Sequence, residues 1–462
     1  MSIRLFRRMA ALICSLALLF TLSPAAFAAE TPAVSDNSMT SGYGSTRSTH
    51  ASPVTSYLFE NPQGNLTRVE YIANQLWRMN GNSIEIKWEK NIVVEDYTPD
   101  FQFLSGRTIP MELDIWGGFF AGEKYNFFIF GQDNPQESDS VEVLRVVKYD
   151  KSWNRLGQAS LYGADTFASI SFSSVDCAEY GDVLYIRTAH EMYKSKDGKN
   201  HQSNMTFTVQ ESTMAMTPYV RDPAYVSHSF KQLILIDSEG NILAADHGDG
   251  HPRAFRLSKY RVKAGSLNLK TYLGFSGVSG DDIPYHVDFN TFPGKAGDNF
   301  TSGMLQGLEE VSGGYVLTYT YRNSVYLAYI AKEDLTEDHD DDGTAKLTQI
   351  IDYAGGKVKN GNVEAQRVFG AAMVSTGLSG GYVLWTDEPG YHGEAPRPNR
   401  VLYAAYGPGG AVGPIQTFAE GRLSDCQPIF YRGQVVWYQT ENSVPTFYTL
   451  DASGAAAVRA KF

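Results

Sequence analysis

A run of short, mostly apolar strand-like segments recurs along this chain about every fifty residues, and that recurrence restricts the possible folds more than any other feature. The segment Val94-Glu95-Asp96-Tyr97-Thr98-Pro99-Asp100-Phe101-Gln102-Phe103-Leu104-Ser105 aligns with Val146-Val147-Lys148-Tyr149-Asp150-Lys151-Ser152-Trp153-Asn154-Arg155-Leu156-Gly157 at an offset of 52, with tyrosine, aromatic, amide and leucine in step. The pattern around Val143 to Tyr149 returns loosely at Ala254 to Tyr260 and at Arg400 to Tyr406, each copy ending in a turn. Gly-Gly-Tyr-Val-Leu occurs at Gly313 to Leu317 and again at Gly380 to Leu384. Residues 224–260 show one unit most clearly. Two apolar runs, Leu233 to Ile236 and Ile242 to Ala245, flank the turn Ser238-Glu239-Gly240, and Phe255 to Tyr260 alternates with the period of two expected of a strand.

Self-similarity at about 40 to 55 residues with about four strands per unit predicts an all-β fold, a β-propeller. The units fall at about 64–110, 111–163, 168–217, 222–275, 300–355, 365–420 and 422–462, which makes seven blades. Six blades is the alternative, with the irregular first and last units merged into one; two packed sheets come third, because alternation alone does not exclude a sandwich. Stacking each blade between two others explains runs such as Phe127-Phe128-Ile129-Phe130, apolar at every position. From about Leu66 to the C-terminus the repeat pattern resembles uncharacterised secreted bacterial β-propeller proteins. No named blade signature is present, so the resemblance implies a fold and leaves the chemistry to individual residues.

Residues 1–28 read as a signal peptide: Arg4, Arg7 and Arg8 precede an apolar run from Met9 to Leu22, and Ala26-Phe27-Ala28 offers a small-x-small cleavage site. Residues 29–55 form a Ser/Thr-rich leader too poor in apolar groups to order itself, and the propeller domain is assigned to 56–462, with Tyr57-Leu58-Phe59 as its first strand. The expectation is a secreted, extracellular protein with no transmembrane segment after cleavage. Removing the three signal-peptide arginines takes the net charge from −12 to −15. A chain this acidic repels phosphate backbones, so nucleic acid is not expected as a partner. Cys177 and Cys426 each follow an aspartate at equivalent points of two repeats, too far apart for a disulfide, and are expected to be buried thiols.

The long connections are predicted at 131–140, 189–204, 246–253 and 387–399, on one face of the propeller. His190, His201, His247, His251 and His392 fall in or beside them, and His228 belongs to an inner strand. Imidazoles and carboxylates gathered at a channel mouth suit a divalent metal or general-base chemistry. His228 and His247 are therefore the candidate catalytic residues, and His190, Glu191, Asp249, His251 and Arg253 the candidate ligand-binding ones, with Arg253 as an anion clamp. His190-Glu191-Met192-Tyr193-Lys194 is not a zinc-protease motif, because Lys194 stands where a second histidine is required.

Asp338, Asp340 and Asp342 ahead of Gly343 match the opening of a calcium loop, although Lys346 and Gln349 occupy its later ligand positions. Gly377-Leu378-Ser379-Gly380-Gly381 fits a nucleophile-elbow pattern, but its repeat partner is a hairpin turn, which argues against a hydrolase. Trp116, Tyr193, Tyr225, Tyr285, Trp385 and Tyr391 lie where exposed rings would stack on sugars. The expected function is a binding protein whose loop face takes an extracellular ligand: a glycan, a small molecule, a peptide or protein, or an envelope component. The alternative is an extracellular enzyme (transferase, lyase or hydrolase) with a histidine-centred, metal-dependent site.

Overall fold

Strands of seven to nine residues dominate because β-branched and aromatic side chains fill both faces of each sheet. Tyr125–Gly131 shows the principle: Phe128 and Phe130 enter the apolar cluster shared with the preceding blade, while Phe127 and Ile129 enter the one shared with the next. Alternation with a period of two is retained, yet no face is left for water. Burying each such ring contributes about 1.5–3 kcal/mol.

The computed structural model describes residues 51–462 apart from 52, 81–82, 218–219, 222–228, 251–252, 268–283, 299, 340–342, 354–357, 360–361, 364–367, 389–396, 442–443 and 452. It is a seven-bladed β-propeller. The blades span Ser56–Pro110, Ile115–Tyr162, Thr166–Arg221, Ser229–Phe289, Gly303–Asp352, Val368–Phe418 and Ile429–Arg459. Each is an antiparallel meander of four or more strands, and Val358–Lys359 pairs with Asn362–Val363 as a separate short ladder. The predicted boundaries hold within a few residues, with two differences. Blade 1 begins at Ser56, because Ser56–Glu60 pairs with Leu66–Glu70 as its inner strand. Blade 4 closes at Tyr285–Phe289, beyond the expected limit, because its fourth strand follows a long connection.

Hairpin turns rely on side chains that replace backbone partners. Asp237 accepts bonds from the backbone of Glu239 and Asn241 and from the Asn241 amide, and Gly240 follows with φ of 76°. That combination makes a tight turn with a left-handed residue. Residues 377–380 likewise form the turn between Val368–Ser375 and Gly381–Asp387, so the elbow pattern lies between two strands with no helix after it.

The ring closes without a blade shared between the chain ends, which excludes the six-bladed alternative: blades 1 and 7 are each complete from contiguous chain. Hydrogen bonds join them instead. Phe103 N donates to Lys461 O at 2.8 Å, and Tyr431 Oη donates to Gly64 O at 2.7 Å. Asp425 accepts bonds from Thr55 N, Thr55 Oγ1 and Ser56 Oγ at 2.6–2.7 Å. Between blades 1 and 7, Arg68 is fully buried against Glu70 at 2.5 Å and Glu95 at 2.7 Å.

A second buried acidic group separates blades 2 and 3. Glu211 is fully buried, and its carboxyl faces that of Glu179. Burial, then the adjacent Glu179 carboxylate, pushes the Glu211 carboxyl up. A carboxyl whose folded pKa exceeds its unfolded value contributes stability that is present below about pH 4.5 and lost as the pH rises through the folded value. Glu211→Gln is therefore expected to raise the unfolding midpoint at pH 8 and leave it nearly unchanged at pH 5, measured by urea denaturation. A midpoint lowered at pH 8 would contradict the raised Glu211 carboxyl.

Candidate functional site: the axial cavity

The first six blades and the segment leading into the seventh converge on a cavity of about 310 Å³. Tyr57 of blade 1, Phe119 of blade 2, Asp176 and Cys177 of blade 3, Lys231 of blade 4, Gln306 and Glu309 of blade 5, Met373 of blade 6 and Gln427 ahead of blade 7 line it. The size falls at the lower end of small-ligand sites.

Asp176 is the hub of its charged groups. It opens the inner strand of blade 3, where its Oδ2 accepts a bond from Ile234 N of blade 4 at 2.8 Å and its Oδ1 one from Cys177 N at 3.0 Å. Burial pushes its carboxyl up, against those two bonds and the charge of Lys231. Ser174 holds the same two strands together: its N donates to Gln232 Oε1 at 3.0 Å, and its Oγ accepts from Gln232 N at 2.9 Å. Lys231 lies in the field of Asp176 and Asp425. Burial still lowers the pKa of its ammonium, with the two carboxylates opposing. Asp425 is pushed up by burial, partly offset by its Ser56 and Thr55 donors.

Glu309 differs from the other two acids. It has no hydrogen-bond or ion-pair partner among the described residues, and desolvation, then Asp176, pushes its carboxyl up to about 7. Three residues away, Gln306 occupies a β-bulge between Leu305 and Gly307. It is 4% exposed, and its Nε2 has no hydrogen-bond partner among the described residues. A bulge re-aims a side chain that regular pleating would turn aside.

The histidine candidates do not gather here. His190 and Glu191 lie within the strand Val183–Lys194, because the expected loop is a continued hairpin reinforced by Thr166–Ser169. His190 Nδ1 meets Thr166 Oγ1 at 2.7 Å, and Glu191 accepts a bond from Ser171 Oγ at 3.0 Å. His247 is fully buried in the strand Asn241–Gly248, enclosed by the rings of Phe230, Phe255 and Phe292, with Nε2 at 2.8 Å from Thr301 Oγ1. Burial, then Arg253, lowers its pKa to about 3, so it is a neutral core histidine with no route to substrate as a general base.

Arg253 is 9% exposed and donates to the carbonyls of Asp249, Pro293, Lys295 and Asp298, which occupies the fork expected to clamp an anion. Asp249 is fully buried beside it. His201 is exposed and meets Asp197 at 2.9 Å across a turn. His228, His251 and His392 lie outside the described residues.

Of the expected calcium loop, Asp338 is paired with His286 Nδ1 at 3.0 Å, while Asp340 and Asp342 lie outside the described residues. Among the described residues no group of three or more His, Cys, Asp or Glu is arranged to hold a metal ion. Cys177 and Cys426, the two cysteines among the described residues, are free thiols; Cys426 is buried and Cys177 half-buried at the cavity. Trp116 and Trp385 pack between blades instead of facing solvent, so neither is a sugar platform.

Residue type points to the histidine-rich connections and away from the cavity residues. One signal lies in the sequence: the aspartates before Cys177 and Cys426, at equivalent points of two repeats, are the two whose charges act on Lys231. Lys231 also stands as a single charge at the edge of an apolar strand run, whereas Glu309 is paired in sequence with Glu310.

Fold and site together define a seven-bladed β-propeller with a charged axial cavity. No protein-family model matches the chain, and no curated protein matches it. Similar solved structures include a Bacteroides fragilis protein provisionally described as a 6-phosphogluconolactonase, at 13% identity over 86% of this chain and 94% of that one, with a TM-score of 0.45. A functionally unknown protein from Desulfotomaculum acetoxidans matches at 10% identity over 79% and 95%, with a TM-score of 0.38. The β-propeller domain of the trilobed protease from Pyrococcus furiosus matches at 8% identity over 75% and 84%, with a TM-score of 0.39. At such scores the likeness carries no activity across. Among the described residues no helix is long and apolar enough to cross a membrane, which says nothing of a β-barrel.

Proposed function

We propose that this protein is an exported binding protein that takes a small extracellular ligand into the axial cavity, and that the loop face does not carry the site. One observation supports this above the rest: a cavity of about 310 Å³ that holds an unpaired carboxyl and an unpaired amide donor. Buried polar groups are satisfied in most native proteins, so unsatisfied ones facing a cavity suggest a partner that completes them. Apolar walls from Leu233, Leu235, Leu308 and Met373 would enclose the ligand's carbon skeleton.

Leu235→Trp, which fills the cavity, tests the reading. Small sugars, amines and amino acids are screened by thermal shift against both forms. A ligand that stabilises the natural chain is expected to lose its effect on the variant. A ligand that stabilises both equally places the site elsewhere. Export is tested separately, by mass spectrometry of protein from the culture medium: cleavage after Ala28 leaves Ala29 as the first residue.

A further inference from the structure

Resting on the proposed cavity site, we infer that its ligand is a small organic ammonium that also carries a hydroxyl, such as an amino alcohol or amino sugar. Asp425 already accepts three bonds from Thr55 and Ser56. Asp176 is engaged by Ile234 N and Cys177 N. Lys231 lies in the field of these two carboxylates, which opposes its attraction for an anion. Glu309 has no hydrogen-bond or ion-pair partner among the described residues, and with all groups ionised the cavity lining carries two carboxylates, Asp176 and Glu309, against the one ammonium of Lys231, with Asp425 acting on that ammonium from beyond the lining.

A buried charge without a partner is costly, and it is relieved either by a proton or by a bound cation. The rise of the Glu309 carboxyl to about 7 is the first of these, and a ligand ammonium supplies the second. The phenols of Tyr57 and Tyr406 and the thiol of Cys177 are titratable groups beside these acids, and burial pushes all three up, so they stay neutral and add no competing charge. A bare metal ion is a poor match because one side of the cavity is apolar, formed by Leu233, Leu235 and Leu308. The Gln306 amide supplies the other half of the recognition. Its Nε2 is a buried donor that requires an oxygen acceptor, and a hydroxyl on the ligand provides one.

The test is isothermal titration calorimetry with glucosamine, ethanolamine, glucose and glucuronate. Glucosamine or ethanolamine is expected to bind at pH 8 about tenfold or more tightly than glucose, the range for a charge-assisted bond, with no glucuronate binding. Affinity should fall between pH 8 and pH 6 as Glu309 takes up its proton. Glu309→Gln should remove both the preference and the pH dependence while remaining folded, with an unfolding midpoint at pH 8 no lower than that of the natural chain.

Glucose or glucuronate binding as tightly as the amines, and lost in Leu235→Trp, would overturn the ammonium inference and leave the cavity reading standing. Amine binding that persists in Leu235→Trp would overturn the cavity reading itself. Binding of none of the four compounds would overturn the inference.

Discussion

Replacing Arg68 by methionine is expected to lower the unfolding free energy by about 3–5 kcal/mol at pH 7, the range for a buried ion pair that loses one partner. Arg68 sits fully buried where blade 1 meets blade 7, with Nε donating to Glu95 Oε2 at 2.7 Å and Nη1 to Glu70 Oε2 at 2.5 Å. Its guanidinium lies over the Tyr438 ring at 5.6 Å, Thr440 Oγ1 donates to Glu70 at 3.1 Å, and Tyr97 donates to Glu95. One cation thus serves two buried carboxylates, and burial pushes the Glu70 carboxyl up even in the intact group.

Methionine keeps the volume and leaves both acids unpaired. Burial already holds the Glu70 carboxyl above its unfolded value and Arg68 is the group that opposes this, so without the guanidinium the stability of the variant should fall as the pH rises from about 4.5. Its deficit should be smaller at pH 5 than at pH 7. Converting Glu70 and Glu95 to leucine as well should recover most of the loss. Urea denaturation of the single and triple variants reads this directly. A loss below about 1 kcal/mol in the single variant would mean that backbone bonds alone hold the ring closed.

Phe255→Ala is the second large effect. The ring is fully buried, with centroids 4.8 Å from His247, 4.9 Å from Phe292 and 4.8 Å from Tyr319, at the contact between blades 4 and 5. Truncation removes the apolar contact and leaves a void, which together cost about 3–5 kcal/mol. The same void opens one wall of the cage around His247. In the natural chain burial, then Arg253, depresses this imidazole to about 3, so its contribution to stability is present above about pH 6.5 and lost as the pH falls through the folded value. Water admitted beside the ring should move its titration up toward 6.5, and the acid limb of the stability profile should become shallower. Histidine ring NMR across pH 3 to 8 measures the shift. An unmoved titration would show that the rest of the cage, Phe230, Phe292 and Thr301, keeps water out.

Much of the architecture was legible in the chain because a propeller is a local repetition. Each blade is built from consecutive residues, so turn residues such as Asp237 and Gly240 and runs such as Phe127 to Phe130 declare it without reference to distant partners. The last strand of blade 4 escaped for the converse reason: Tyr285–Phe289 pairs with Phe255–Lys259 across a long connection that interrupts the period.

The site was far less legible. Residue type marked His247 and Arg253 as reactive, yet each is absorbed by its surroundings, one by three aromatic rings and the other by four carbonyls. The sequence by itself determined the repeat and the sheet pattern, since both follow from hydrophobic period and turn chemistry over about fifty residues, while seven blades against six was settled by how the ring closes. Only the tertiary structure decided which charges meet, because Asp176, Lys231 and Glu309 lie on three different blades and Asp425 in the segment leading into a fourth, and closing the ring is what brings them together.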